Sequence, residues 1–142
     1  MKEHRATVLL KLAFILGAIT DAVAAVPMLS PKAAQLLWGF HDFSGPYLFA
    51  MCFGAALMVA WTLLLIWAAF KPIERRMVAL LTLMIIVWFL VTEIIFINIG
   101  ILSLDKALLS ICMQVILSTL YTIAFLYSRP SNLQLDNDKA RL

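Results

Sequence analysis

Asp21 and Glu93 each sit inside a long apolar run, where an ionisable side chain is costly enough to mark a functional candidate. Gln114 lies in another such run, and a His41-Asp42 pair stands in the polar stretch that follows the first. Brought together, Asp21, Glu93 and Gln114 form an outward-opening polar pocket, with His41 and Asp42 as its lid. Two anions a few ångströms apart in a low-dielectric layer repel strongly, so at least one is expected to carry a proton at neutral pH. Such a pair binds a proton, a cation or an amine. The plainer reading is that Asp21 reaches the membrane interface and Glu93 bonds Gln114 or a backbone group as a link between helices.

Other reactive residue types point to less. His41 and Asp42 are too few ligands for a metal, and read more simply as a solvated loop pair. Cys52 and Cys112 form no CxxC and no Cys/His cluster at zinc spacing, so they read as small packing residues with free thiols. A disulfide-forming thiol oxidoreductase needs a cysteine pair and is disfavoured. No nucleophile–base pair, metal motif or cofactor box is visible. The sequence therefore implies no cofactor, and an intramembrane enzyme has the least support.

The elements that must position these residues are apolar spans. Of the 142 residues, 64% are hydrophobic and only 13% charged, with a mean hydropathy of +1.00. A soluble domain is nearer half apolar and about a quarter charged. A run of about 20 apolar residues crosses the hydrocarbon core. Residues 7–26, 47–70, 77–100 and 107–127 fit, which makes residues 1–128 an all-α, four-transmembrane-helix bundle with a polar tail at 129–142. Pro27 and Pro31 end the first span, the 71–76 turn separates the second and third, and Arg129-Pro130 closes the fourth.

Charge sets the expected orientation. With the termini and the 71–76 turn on one side, nine of the 11 Lys and Arg residues share that side, leaving Lys32 and Lys106 on the other. The positive-inside rule then puts both termini in the cytoplasm and Lys32 and Lys106 outside. The net charge of +3 comes from these short flanks, so nucleic acid is not an expected partner. In the turn, Glu74 is placed to pair with a neighbouring arginine. A rival reading of the start is a signal peptide: residues 1–5 are basic and Ala22-Val23-Ala24 resembles a signal-peptidase site. Cleavage would leave three helices, which bury less of one another.

In the first outer loop, Ser30 is placed as an N-cap, Pro31 at N1 and Gly39 as a left-handed stop, which predicts a short interfacial helix. At 1.5 Å rise per residue, Asp21 lies roughly 7–8 Å and Glu93 roughly 10 Å below the outer ends of their spans, so both fall in one outer layer. Gly17, Asp21 and Ala25 share a small-residue stripe, a mark of close helix contact, which turns Asp21 into the bundle. Ser110, Gln114, Ser118 and Thr122, each four apart, make a polar stripe on the last helix.

The Trp-Thr-x-Leu-Leu-Ile-Trp-Ala run at 61–68, joined to Lys71-Pro72-Ile73-Glu74-Arg75-Arg76, resembles a group of small, uncharacterised four-helix prokaryotic integral membrane proteins. The likeness covers about a third of the chain. It implies the four-helix topology and a prokaryotic plasma (inner) membrane, and supplies no catalytic residues. Ala69-Phe70 departs from that group, which carries a charged residue before the Lys-Pro turn.

The resulting expectation is a non-enzymatic membrane protein that binds a small ligand or serves as an accessory subunit of a membrane complex. The alternative is a proton- or cation-coupled transporter. Four helices are few for a transport path, so transport implies a homo-oligomer. Topology can be tested by labelling cysteines introduced singly at Lys106 and Lys71 in intact cells. Lys106→Cys is expected to react with an impermeant reagent before the cells are opened, and Lys71→Cys only after. The reverse order would overturn the orientation.

Overall fold

The computed structural model describes residues 2–41 and 43–128. Five helices account for nearly all of them: α1 (Lys2–Leu29), α2 (Pro31–Trp38), α3 (Gly45–Phe70), α4 (Arg76–Asn98) and α5 (Leu104–Tyr127). All but α2 are long and apolar enough to cross a membrane. They alternate in direction, so the start of α1, the α3–α4 turn and the end of α5 share one end, here the basic end. The opposite end carries α2.

Helix ends follow local chemistry, with one departure. Pro27 does not stop α1, which continues to Leu29. A proline removes one backbone donor, and so near a helix terminus it disrupts little of the ladder beyond it. The amide of Ser30 still bonds the Val26 carbonyl at 3.1 Å. Ser30 then caps α2, its hydroxyl accepting from the Ala33 amide at 3.4 Å, with Pro31 opening the helix and Gly39 at φ 74° ending it. The short helix thus forms over the span its sequence specifies. Gly100, at φ 75°, reverses the chain between α4 and α5. A non-glycine residue would be strained at either glycine.

At the basic end Glu74 pairs with Lys71 at 3.1 Å rather than with an arginine. The arginines are engaged elsewhere. The Arg75 guanidinium lies 3.4 Å over the Trp67 ring and donates to the Trp67 carbonyl, satisfying an acceptor near the end of α3. Arg76 donates to the Ser128 carbonyl at 2.8 Å, which ties the turn to the end of α5.

Packing is asymmetric. α1 packs along α3 and α5, and α4 packs on α5, while α3 and α4 touch little despite the short turn joining them. Trp61 on α3 donates to Thr82 on α4 at 3.3 Å, a side-chain bridge between them. The core is a cluster of Leu10, Phe14, Leu65, Val78, Tyr121 and their small neighbours, toward the basic end. The rest of the apolar surface points outward. In α3 and α4 only 11% of the most apolar stretch is buried, a surface a bilayer accepts and water does not.

Gly17 is the tightest point. A methyl group there would overlap the hydroxyl of Tyr121, which is fully buried, and press on Leu65. Gly17→Ala is therefore expected to destabilise the bundle by about 1–3 kcal/mol, the usual range for overpacking. Tyr121→Phe removes the obstructing atom and should recover much of that loss in the double variant. Thermal unfolding in detergent measures both; equal effects of Gly17→Ala with and without the hydroxyl would refute the contact.

Candidate functional site

The α2 half of the interior is polar because α4 and α5 place hydrogen-bonding side chains face to face. Ser110 on α5 donates to Glu93 Oε1 on α4 at 2.6 Å. The same hydroxyl accepts from Gln114 Nε2, one turn further along α5, at 3.0 Å. The three side chains form a directed chain, amide to hydroxyl to carboxylate. It leaves two buried oxygens without a partner, Glu93 Oε2 and Gln114 Oε1. Both are pure acceptors, so only a donor satisfies them: a proton on Glu93, a water or a cation bearing N–H groups.

The polar track continues down α5 toward the core. Ser118 Oγ and the Tyr121 hydroxyl are also buried and without a hydrogen-bond partner. Thr122, the next member of the sequence stripe, leaves the track: it is exposed and bonds the Ser118 carbonyl of its own helix at 2.7 Å. Its place is taken by Tyr121. The Tyr121 hydroxyl faces Thr82, whose own hydroxyl donates to the Val78 carbonyl at 2.8 Å and accepts from Trp61. Of the five buried polar atoms lacking partners among the described residues, four lie on this track; the fifth, Tyr47 Oη, sits among the aromatic rings at the α2 end.

Asp21 faces the track from α1. It shares a helix face with Leu10, Phe14 and Gly17, all buried, and lies one turn beyond the Gly17–Tyr121 contact. It has no hydrogen-bond or ion-pair partner among the described residues. Asp21 and Glu93 do not share one layer. Glu93 meets Ser110, whereas the contacts of Phe14 and Gly17 with Tyr121 put Asp21 opposite residues 114–117 of α5. The separation is one to two turns, roughly 6–10 Å along the bundle axis. Their depths inverted because α1 runs three residues past its expected end while α4 stops two short of its own.

The loop residues stand apart. His41 is exposed, its Nδ1 lying 3.1 Å from Gln35 Nε2, and it does not join the Glu93 chain. Asp42 lies outside the described residues. Lys106 reaches from α5 to the Leu36 carbonyl at 3.2 Å, so α2 rests against the start of α5. Both cysteines are free, but they face outward instead of packing in the bundle. Among the described residues no three His, Cys, Asp or Glu side chains gather as a metal site.

The sequence pointed to Glu93 and Asp21 through charge in an apolar setting, to Gln114 through its polarity there, and to Ser110 and Ser118 through the four-residue repeat. It missed Tyr121, Thr82 and Trp61, whose apolar bodies read as core; the small residue Gly17, opposite a large ring, was the only available signal for Tyr121. Compared with known protein families, curated proteins and solved structures, the chain matches none.

Ser110 joins the chain at its centre. Ser110→Ala should lower stability and couple to Glu93→Ala, because each deletes the same bond. Intramembrane side-chain bonds couple by about 0.6 kcal/mol on average and up to about 1.7. A double-mutant cycle of unfolding in mixed micelles measures the coupling. Strict additivity would mean that the bond contributes nothing.

Proposed function

We propose that this chain is a multi-pass membrane protein, with both termini cytoplasmic, that binds a small cationic hydrogen-bond donor in its outward-facing half. The observation that carries this reading is the set of acceptors without donors. Glu93 Oε2 on α4 and Gln114 Oε1 on α5 are buried and unpartnered, and the half-buried Asp21 on α1 has no partner among the described residues. Left so, the two buried oxygens carry the full desolvation penalty of buried polar groups. A proton, an ammonium or a small primary amine removes it, and two carboxylates on different levels suit a ligand with more than one donor. The Lys and Arg asymmetry supplies the orientation.

Binding suits the geometry better than transport. Beyond Tyr121 toward the basic end, the fully buried Leu10, Phe14 and Leu65 close the interior. The polar track thus ends within the bundle. A through path would have to be built with another copy or another subunit.

The test is a panel of sodium, methylammonium and ammonium salts at matched ionic strength, with thermal stability in detergent as the readout. A binding cation stabilises the folded state by mass action. Methylammonium and ammonium are expected to raise the melting temperature of the wild type and not of Glu93→Gln, because the amide brings its own donors and removes the charge. Infrared difference spectra between acid and neutral pH would report a proton as the ligand, through a carboxyl carbonyl band absent in Glu93→Gln. If no cation separates the two proteins and no such band titrates, Glu93 is only a link between helices.

A further inference from the structure

The α1–α3 seam carries a second feature, on the outside of the bundle and unrelated to the polar track. Between the two helices runs a groove with Ala18, Ala22 and Ala69 along it and Ile15, Ile66 and Phe70 as its sides. At its basic end it closes on Lys11. Lys11 is the only charged residue of α1 between Arg5 and Asp21, is exposed, and has no ion-pair or hydrogen-bond partner among the described residues. A lone ammonium beside an apolar groove is complementary to a molecule with an anionic head and a hydrocarbon tail.

The dimensions agree with one leaflet. From Lys11 to Ala22 is eleven helical steps, roughly 16 Å, against about 15 Å for half of a 30 Å hydrocarbon core. With Lys11 at headgroup height, the groove ends near the bilayer midplane. A smaller depression continues past it, along Val26 and Leu29 of α1 and Val59 of α3.

We infer that this groove is a binding site for one anionic phospholipid of the leaflet at the basic end, its phosphate on Lys11 and one acyl chain along the α1–α3 seam. The inference needs the chain to lie in a bilayer but does not depend on what the Glu93–Ser110–Gln114 chain binds.

The experiment uses the full chain in nanodiscs of mixed phosphatidylglycerol and phosphatidylcholine, followed by gentle detergent release and native mass spectrometry. The wild type is expected to retain one phosphatidylglycerol in preference to phosphatidylcholine. A basic side chain near an anionic surface contributes about 1 kcal/mol, so Lys11→Gln should lose roughly fivefold in that preference, and Lys11→Arg should keep it. Ala22 is exposed, so Ala22→Phe fills the groove without entering the core and should reduce retention of both lipids. In the double variant Lys11→Gln should add no further loss of preference, since the groove is already blocked. Arg5→Gln is the control for non-specific attraction and should change little. Equal lipid retention by wild type, Lys11→Gln and Ala22→Phe would overturn the site. So would a wild-type dimer that Ala22→Phe converts to a monomer, because a second copy would then occupy the groove.

Discussion

The fit of Tyr121 against Gly17 determines where this bundle can be polar and where it cannot. The ring is fully buried and meets two other helices: α1 at Gly17 and Phe14, and α4 near Thr82. Only a residue without a side chain lets α1 approach a tyrosine hydroxyl so closely. On the basic side of that contact the interior is mainly Leu10, Phe14, Leu65 and small alanines, with the buried Ser128 bonded to its own helix at the end. On the other side the interior holds Glu93, Ser110, Gln114 and Ser118. Tyr121 belongs to both, its ring closing the apolar half and its hydroxyl entering the polar one.

The polar half is ordered by donor and acceptor arithmetic. Ser110 has one proton to give and gives it to Glu93, so it can receive from Gln114 but cannot serve a second acceptor. The surplus of acceptors passes to Glu93 Oε2 and Gln114 Oε1, and Asp21 adds to it from α1. A site built only as a link between helices needs one satisfied bond, and Ser110–Glu93 supplies it. The remaining unsatisfied oxygens are what favours a ligand.

The two ends of the molecule are held differently. At the basic end Arg75 and Arg76 are spent on carbonyls and on a tryptophan face, binding α3, α4 and α5 to one another. At the α2 end the links are a Lys106 contact and a run of aromatic rings, Trp38, Phe40, Tyr47 and Phe43. With α3 and α4 touching little, the α2 half has the looser frame.

The number, length and all-α nature of the apolar spans were legible from the sequence, because a hydrocarbon core imposes a length on any helix that crosses it. So was α2, since a serine cap, a proline and a left-handed glycine act within a few residues of themselves. Charge in apolar runs marked Asp21 and Glu93 as unusual, and polarity marked Gln114. Other features depended on which side chain meets which across helices. Pro27 reads as a stop but sits where losing one backbone bond hardly matters. Glu74 had three cations within reach by sequence, and the stacking of Arg75 on Trp67 and the bond from Arg76 to Ser128 left it Lys71. The separation of Asp21 from Glu93 follows from helix register, which is fixed by Gly17 fitting Tyr121 and Glu93 meeting Ser110. Spacing along one helix carries no information about the height of its neighbour. Span length is a property of each segment and its solvent, and the sequence determines it alone; register is a property of pairs of segments, and only packing decides it.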